Sequence, residues 1–260
     1  MNRATVFISG ATGIAAATAE KLSRSGINVF IASLDENDCL TLTTSLTESG
    51  GTTSYFSGDL SQPAEGESAV QACLTRFGRI DGVFNAAGIS GRRFGDGPMH
   101  ECTPEGLQAV LSNNLGTVFS ICRPALRAMM NQAPDDRGRR GAIVNLSSVL
   151  SRHPESRHFA THAYAASKGA IEAVTISMAS YYSSFGIRIN AIAPGLVRTP
   201  MSRRAQDSSE IQNFIATKQR LTGGMLLPED IAGLAAFLLS DDSTGITGCV
   251  IDADGGWSVN

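Results

Sequence analysis

Tyr164 and Lys168, four residues apart, have the side chains and the spacing needed for proton transfer. In a helix, residues four apart lie on one face, so the phenol and the ammonium would project into one site. An unperturbed tyrosine has a pKa of about 10 and is a poor acid or base at neutral pH. A fixed cation nearby favours the phenolate and lowers that pKa. The pair therefore indicates a general acid or base, the alternative being a chance pair on a solvated helix.

The elements that must position this pair alternate between short apolar segments and longer helical patterns. Strands are predicted at 5–9, 28–32, 53–56, 80–85, 141–146, 187–192 and 248–252. Helices are predicted at 14–25, 36–49, 64–77, 104–131, 163–184 and 228–239. Short strands that are each followed by a helix predict an α/β fold, with a parallel sheet buried on both faces. Such sheets bind ligands beyond the carboxyl ends of their strands, where we expect the functional residues.

The turns after the first two predicted strands have the features of a nucleotide site. Gly10 and Gly13 lie between the first strand and a helix, where bare N–H groups and the helix dipole attract a pyrophosphate. The alternative is an ordinary strand–helix turn. The second strand ends at Ser33 and Leu34, where a ribose 2′ group would be recognised, and neither residue is acidic or basic.

Polar or small residues also follow the next three predicted strands. Asp59 could accept a bond from an adenine amino group or could cap a helix, and both readings stay open. The small residues of 85–88 leave room for a flat ligand, or form a close-packed turn. Asn114, in an apolar helical stretch, must be hydrogen-bonded if buried, which suits a structural role at least as well as a catalytic one. Ser148 could donate to a substrate oxygen, and without a G-x-S-x-G sequence it is not expected to be a nucleophile.

Three histidines in the following loop, His153, His158 and His162, raise the question of a metal site. The spacing provides no second helical ligand pair, so a polar loop that lines a cleft is favoured and no metal is expected. Residues 197–227 form a long irregular segment, which predicts a lid over a ligand.

Composition limits the class of protein. A chain of 260 residues with no linker-like segment predicts one domain over 1–260. A net charge of −3 argues against a nucleic-acid or anionic-membrane partner. No apolar run is long enough for a signal peptide or a membrane span. The scattered, odd-numbered cysteines favour reduced thiols and a cytoplasmic location; they are Cys39, Cys73, Cys102, Cys122 and Cys249.

In chain order, the glycine turn, NAAG at 85–88, NLSS at 145–148, YAASK at 164–168 and IAPGLVRTPM at 192–201 resemble the short-chain dehydrogenase/reductase family. The resemblance extends from Val6 to Trp257. It implies a Rossmann-like, doubly wound, seven-stranded parallel sheet with helices on both faces, which binds NAD or NADP. It also implies interconversion of a secondary alcohol and a carbonyl, and a homodimer or homotetramer.

The resemblance further implies residue roles. Tyr164 would be the general acid or base, Lys168 would lower its pKa and hold the nicotinamide ribose, Ser148 would polarise the substrate oxygen, and Asn114 would hold a water in a proton relay. The implied cofactor contacts also include Gly10, Thr12, Gly13 and Ile14 at the pyrophosphate, Ser33 and Leu34 at the ribose 2′ group, Asp59 and Leu60 at the adenine, Asn85, Ala86, Ala87 and Gly88 at the ribose side, and Pro194, Gly195, Val197 and Thr199 at the carboxamide.

The chain departs from the family pattern at several places. Its glycine loop is one residue shorter than usual, with Ala15 in place of the last glycine. The stretch from Ser148 to Tyr164 is longer than usual, and a glycine follows Asn114 one place early. Because no arginine lies at the position that would bind a 2′-phosphate, the sequence weakly favours NAD. The choice between NAD and NADP stays open.

The sequence is compatible with two functions. The first is an NAD(P)-dependent oxidoreductase; the second, suggested by the short loop, is a nucleotide sensor with little catalysis. An epimerase or dehydratase is disfavoured because such relatives carry a larger C-terminal substrate domain.

Six arginines are expected near the mouth of the ligand site. They suggest either an anionic substrate or, by preference, a solvated surface; they are Arg92, Arg93, Arg152, Arg157, Arg203 and Arg204. Extra apolar residues on two helices predict a subunit interface; they are Val118, Phe119, Ile121, Ile176, Met178, Tyr181 and Tyr182.

Overall fold

A parallel sheet of seven strands runs through the computed structural model, which describes residues 4–260. The strands are β1 Thr5–Ser9, β2 Asn28–Ser33, β3 Thr53–Ser57, β4 Gly82–Asn85, β5 Gly141–Leu146, β6 Ile187–Pro194 and β7 Val250–Ala253. They lie in the order β3-β2-β1-β4-β5-β6-β7, and every neighbouring pair is parallel. The predicted strands and the predicted parallel sheet are confirmed.

Helices cover both faces of the sheet. They are α1 Ile14–Arg24, α2 Glu36–Glu48, α3 Pro63–Phe77, α4 Pro104–Leu111, α5 Thr117–Asn131, α6 His162–Tyr182, α7 Arg203–Gln206, α8 Ser209–Lys218 and α9 Pro228–Leu239. One buried cluster joins the sheet to α1, α2 and α9, and a second joins it to α3, α5 and α6. Within residues 4–260, no helix combines the length and the apolar character needed to cross a bilayer.

The first strand shows why the sheet is covered twice. Side chains alternate between the faces of a strand, so Val6 and Ile8 enter one cluster and Phe7 enters the other. All three are almost fully buried. A strand buried on both sides is apolar at most positions, which explains the apolar segments of the sequence.

The strand order reverses between β1 and β4. From this point, β2 and β3 follow on one side of β1, and β5, β6 and β7 follow β4 on the other. The connections after β1 and β4 therefore leave in opposite directions and open a crevice at the carboxyl ends of the strands. The sheet topology thus decides where a ligand can bind.

The predicted helix 104–131 contains a π-helical turn. After α4, residues Ser112–Gly116 form a π-helical turn, and α5 begins at Thr117. Asn114 lies in this turn, where its side chain bonds to a loop and to another helix rather than to solvent. The helix extends over the predicted range, and the π turn within it was not predicted because the bonds of Asn114 are made to residues far away in the sequence. Such π turns are frequent at functional sites.

The segment 197–227 folds over the crevice with its own small core. It contains α7 and α8, and Val197 pairs with Leu226 in a parallel bridge. Ile211 and Ile215 of α8 pack in a separate apolar cluster that includes Trp257. The segment is therefore anchored at its base and by this cluster.

Candidate active site

A cleft of about 810 Å³ lies at the carboxyl ends of the strands, beneath segment 197–227. Its walls come from the turns after β1 to β6, from the start of α6 and from the first part of segment 197–227. It therefore coincides with the crevice at the reversal of strand order, where α/β sheets bind their ligands.

Ser148, Tyr164 and Lys168 come together on one wall of this cleft. The Ser148 side chain is hydrogen-bonded to the Tyr164 phenol. Lys168 is buried, donates from Nζ to the carbonyl oxygen of Leu146 at 2.8 Å, and holds Nζ 5.7 Å from the centre of the Tyr164 ring. The helical spacing thus places the phenol and the ammonium in one site; their catalytic roles stay predictions.

The pKa of the Tyr164 phenol is raised rather than lowered in this structure. Burial raises it, and the bond to Ser148 opposes that rise. Burial also lowers the pKa of Lys168 to about 8. The expectation of a lowered phenol pKa is wrong for this structure, because desolvation of the phenol outweighs its hydrogen bond to Ser148. At neutral pH the site holds a protonated phenol beside a protonated amine.

Asn114 supports the site from behind and does not line the cleft. Its Oδ1 accepts from the Ile89 backbone N–H at 2.7 Å, and its Nδ2 donates to the Ile89 carbonyl and to Ser167 Oγ. The fully buried amide therefore links the turn after β4 to α6, next to Lys168. Both amide hydrogens have protein partners, so a water could bind the side chain only at Oδ1. The relay role stays a prediction.

Two glycines in the turns that line the cleft have no room for a side chain. Gly13 has a φ of 57°, and a methyl group there would lie 2.9 Å from Thr199 Cγ2. At Gly88, a methyl group would lie 2.7 Å from Asn114 Oδ1. Contacts this short do not occur between real side chains, so both turns require glycine. They form a backbone cradle of the kind that a dinucleotide needs.

The amino end of α1 faces this cradle and is free to bind an anion. Gly13 caps the helix, and within residues 4–260 no side chain bonds to the cap; the first turn carries no acid. The first backbone bond of the helix runs from Ala17 N–H to the Gly13 carbonyl, so the preceding N–H groups remain available. The shortened loop with Ala15 therefore retains the requirements of a pyrophosphate site, together with the neighbouring Thr12 and Ile14.

The end of the cleft near β2 and β3 is polar and carries no basic lining residue among those described. Ser33 and Leu34 line it, and Leu34 is 73% exposed. Asp59, which lines it with Leu60, accepts from the Ser61 backbone and hydroxyl, and this hydroxyl bond lowers the pKa of the carboxyl. Asp59 thus supports its own turn, and its contact with adenine stays a prediction.

Asn85 differs from its neighbours in the sequence stretch 85–88. Ala86, Ala87 and Gly88 line the cleft, but the Asn85 side chain is buried and donates to Asn145 Oδ1 at 2.8 Å. The prediction that Asn85 lines the ribose side is therefore not supported by its side chain. Strand alternation turns this amide away from the cleft. The remaining predicted contacts, Pro194, Gly195, Val197 and Thr199, do line the cleft.

Two buried carboxylates that hold the wall of Ser148, Tyr164 and Lys168 together were missed by sequence reasoning. Asp96 accepts from the backbone N–H groups of Ala163 and Tyr164, both at 2.9 Å, and so caps α6. Glu172 accepts from Ser147 Oγ at 2.8 Å and forms an ion pair with Arg152. Glu172 follows Lys168 by one helical turn, a spacing that could have drawn attention to it. No local sequence pattern indicates that Asp96 contacts the start of α6.

The histidines of the loop before α6 do not converge. Among residues 4–260, no three His, Cys, Asp or Glu side chains form a possible metal site. His158 packs against Phe214, with ring centres 5.0 Å apart, and His162 is exposed. This loop instead forms part of an aromatic wall: Phe159 lines the cleft and meets the Trp257 ring at 5.8 Å.

The six arginines expected at the mouth fall into two groups. Arg152 and Arg157 are engaged in ion pairs, Arg152 with Glu172 and Asp252 and Arg157 with Glu210. The others line the cleft, and among the described residues none has an acidic partner within ion-pair distance; they are Arg92, Arg93, Arg203 and Arg204.

Known proteins resemble this chain over nearly its whole length. A family model described as "Enoyl-(Acyl carrier protein) reductase" matches residues 9–258. Momilactone A synthase of Oryza sativa subsp. japonica is 34% identical over 100% of this chain and 91% of the relative. 3beta-hydroxysteroid dehydrogenase 1 of Eggerthella lenta is 34% identical over 98% of this chain and 94% of the relative. The solved structure of levodione reductase superposes with a TM-score of 0.88, at 30% identity, covering 98% and 97% of the two chains.

These matches cover nearly the whole chain. The chain belongs to the short-chain dehydrogenase/reductase family, a family of oxidoreductases.

Proposed function

We propose that this protein interconverts a secondary alcohol and a carbonyl compound with the help of NAD(H). The observation that supports this most strongly is the convergence of the Ser148 hydroxyl, the Tyr164 phenol and the Lys168 ammonium on a cleft that also contains the glycine cradle. A sensor that only bound a nucleotide would need the cradle but not the three polar groups.

The three side chains have complementary roles in carbonyl reduction. When bound, a nicotinamide dinucleotide supplies or accepts the hydride. The raised pKa keeps Tyr164 protonated, so its phenol donates a proton to the carbonyl oxygen. Ser148 donates a hydrogen bond to the same oxygen, and the charge of Lys168 stabilises the phenolate left behind. In alcohol oxidation the phenolate accepts the proton.

The cradle residues would hold the cofactor along the cleft. The amino end of α1 with Gly10 and Gly13 would bind the pyrophosphate, and Lys168 would hold the nicotinamide ribose. Asp59 and Leu60 would lie beside the adenine. A direct experiment combines calorimetric titration with NADH and a screen of ketones for NADH consumption. Binding with turnover is expected; tight binding with no turnover of any carbonyl would favour the sensor.

We also propose that the cofactor is NAD(H) rather than NADP(H). Asp35 caps α2 by accepting from the N–H groups of Asn37 and Asp38, and Glu36 and Asp38 lie in the first turn. These carboxylates place negative charge beside the end of β2, where a 2′-phosphate would have to bind. Leu34 provides no compensating charge at the same place.

Replacing Leu34 with arginine tests this preference. The wild type is expected to bind NADH more tightly than NADPH. Leu34→Arg should raise the NADPH affinity by about ten- to hundredfold through a charge-assisted bond to the phosphate. Leu40→Arg, on the exposed side of α2, adds the same charge elsewhere and is the matched control. A wild type that prefers NADPH, or an equal effect of both variants, would contradict the proposal.

The domain organisation is also a proposal. We infer that residues 1–260 act as one NAD(P)-binding domain, with segment 197–227 as a lid over the substrate. The position of the segment supports this, because its first residues line the cleft beside Ser148 and Tyr164. The five free thiols fit a cytoplasmic location. The substrate is a small molecule, and neither a nucleic acid nor a membrane is needed.

We propose that α5 and α6 form a homodimer or homotetramer interface. Val118 and Ile121 are buried in the core, whereas Phe119, Ile176 and Tyr181 are more than half exposed on helices that cover the same face of the sheet. Phe119→Asp should convert the assembly to smaller species in analytical ultracentrifugation, because a buried unpaired charge destabilises an interface. Leu221→Asp, at an exposed position of segment 197–227, is the control. A monomeric wild type at micromolar concentration would refute the interface.

A further inference from the structure

We propose that Arg92 and Arg204 form a recognition site for an anionic group, a carboxylate or a phosphate, carried by the alcohol or carbonyl substrate. The inference rests on the proposed function and narrows its substrate class. The site lies in the same cleft as Tyr164 and Ser148.

The two guanidinium groups converge from separate parts of the chain. Arg92 lies in the turn after β4, and Arg204 lies on α7 in segment 197–227. Each donates from Nη2 to the same acceptor, the His158 carbonyl oxygen, at 2.8 Å and 2.7 Å. The Arg204 guanidinium also lies 5.6 Å from the centre of the Phe159 ring. One carbonyl and one ring therefore hold two cations side by side.

This arrangement brings like charges together without a carboxylate to balance them. Burial lowers the pKa of Arg92, and the charge of Arg204 lowers it further, whereas Asp96 acts in the opposite direction. Asp96 is not within ion-pair distance of either arginine among the described residues, and its two oxygens bind the backbone N–H groups of α6. Among residues 4–260, neither arginine forms an ion pair, although Arg152 and Arg157 in the neighbouring loop do. The two arginines therefore have no anionic partner among the described residues of the protein.

An anionic group on the substrate supplies what is missing. A guanidinium group presents several N–H donors in one plane, and each arginine uses one Nη2 on His158. The remaining donors can bind the oxygens of a carboxylate or a phosphate from two sides. The aromatic wall of Phe159 and Trp257 is suited to an apolar body between the anionic end and the reacting oxygen.

The dinucleotide is a poorer candidate for this site. Its pyrophosphate is accounted for by the amino end of α1, and its 2′ end by the turn at Leu34. Arg92 and Arg204 bind instead to the loop that precedes α6, so they belong to the substrate side of the cleft. Both arginines are exposed, and each lines the cleft and bonds to a carbonyl of the loop beside it.

The test compares acids with their neutral counterparts by calorimetry on the full chain saturated with NAD, which prevents reduction. The probes are 4-oxocyclohexanecarboxylate with its methyl ester, and dihydroxyacetone phosphate with dihydroxyacetone. We expect at least one acid to bind about ten- to hundredfold more tightly than its neutral partner, with an affinity that falls as salt is added. The pair that discriminates identifies the anion as carboxylate or phosphate.

Variants then assign the preference to the two arginines. Arg92→Ala with Arg204→Ala should abolish the difference between acid and neutral probe and leave the NADH affinity within about twofold of wild type. Arg157→Ala, which breaks an exposed ion pair nearby, should retain the preference. The double replacement by lysine keeps the charge but loses the planar donors, and it should keep part of the preference. The double lysine variant also provides a test if the double alanine variant fails to fold.

Several results would overturn the inference. They are equal binding of acid and neutral probe in both pairs, failure of every acid to bind, an unchanged preference in the double alanine variant, or a loss of NADH affinity in that variant. If the wild type still reduces neutral ketones and Tyr164 is still needed, the anion site fails while the proposed function stands.

Discussion

Tyr164→Phe is expected to lower kcat for carbonyl reduction by about 10²- to 10⁴-fold, the range typical of a lost general acid. Phenylalanine keeps the ring that packs beside Lys168 and removes only the hydroxyl, so the affinity for NADH should change by no more than about twofold. The measurement is steady-state NADH consumption with any ketone that the wild type reduces, together with a calorimetric titration of NADH.

The control for this variant is Tyr181→Phe, which removes a hydroxyl from a tyrosine on the exposed side of the same helix. It should leave kcat and NADH affinity unchanged. Turnover by Tyr164→Phe at the wild-type rate would exclude the phenol as proton donor. A variant that loses NADH binding and turnover together would show that the hydroxyl is needed for the cofactor rather than for the chemistry.

Lys168→Met is expected to weaken NADH binding and to lower kcat, because it removes the only cation placed beside the Tyr164 phenol by α6. The pH dependence separates this charge from a packing effect. Burial lowers the pKa of Lys168 to about 8, so the free protein loses the ammonium as pH rises through 8. If NADH binding requires the ammonium, the protein must take up a proton at Lys168 when it binds NADH above this pH. The wild-type affinity should fall by up to about tenfold per pH unit above 8.

The Lys168→Met variant should show no such change in NADH affinity between pH 7 and 9, the interval of about one unit on each side of the lysine pKa. Lys21→Met removes an exposed ammonium from α1 and should behave as the wild type does. Methionine has a similar length and no charge, so the buried position is filled without a cavity. A wild type whose NADH affinity is constant through pH 8 would contradict a role for the Lys168 charge in binding.

Much of the candidate active site was predictable because its residues follow the strands directly. Gly10, Gly13 and Gly88 lie in turns after β1 and β4, and Ser148 lies just after β5. Parallel strands place their carboxyl ends along one edge of the sheet, so residues far apart in sequence meet there without further information. The pairing of Tyr164 with Lys168 required only the period of a helix.

Other features depend on contacts that no local pattern encodes. The π turn at Asn114 exists because its amide bonds to Ile89 and Ser167, and the cap of α6 comes from Asp96, on a distant loop. The inward orientation of Asn85 is explained by its bond to Asn145 on the neighbouring strand. Long-range hydrogen bonds between buried groups decide all three, because a buried polar group must find a partner wherever the fold provides one.

The amino-acid sequence by itself determined the parallel sheet, the edge of the sheet where ligands bind, and the spacing of the proton-transfer pair, since these follow from local periodicity. Only the tertiary structure decided the sign of the Tyr164 pKa shift, which depends on how deeply the phenol is buried. It also decided which arginines are paired, since Arg152 meets Glu172 whereas Arg92 meets Arg204 at one carbonyl. Burial and charge pairing are properties of the packed chain, and the sequence pattern does not contain them.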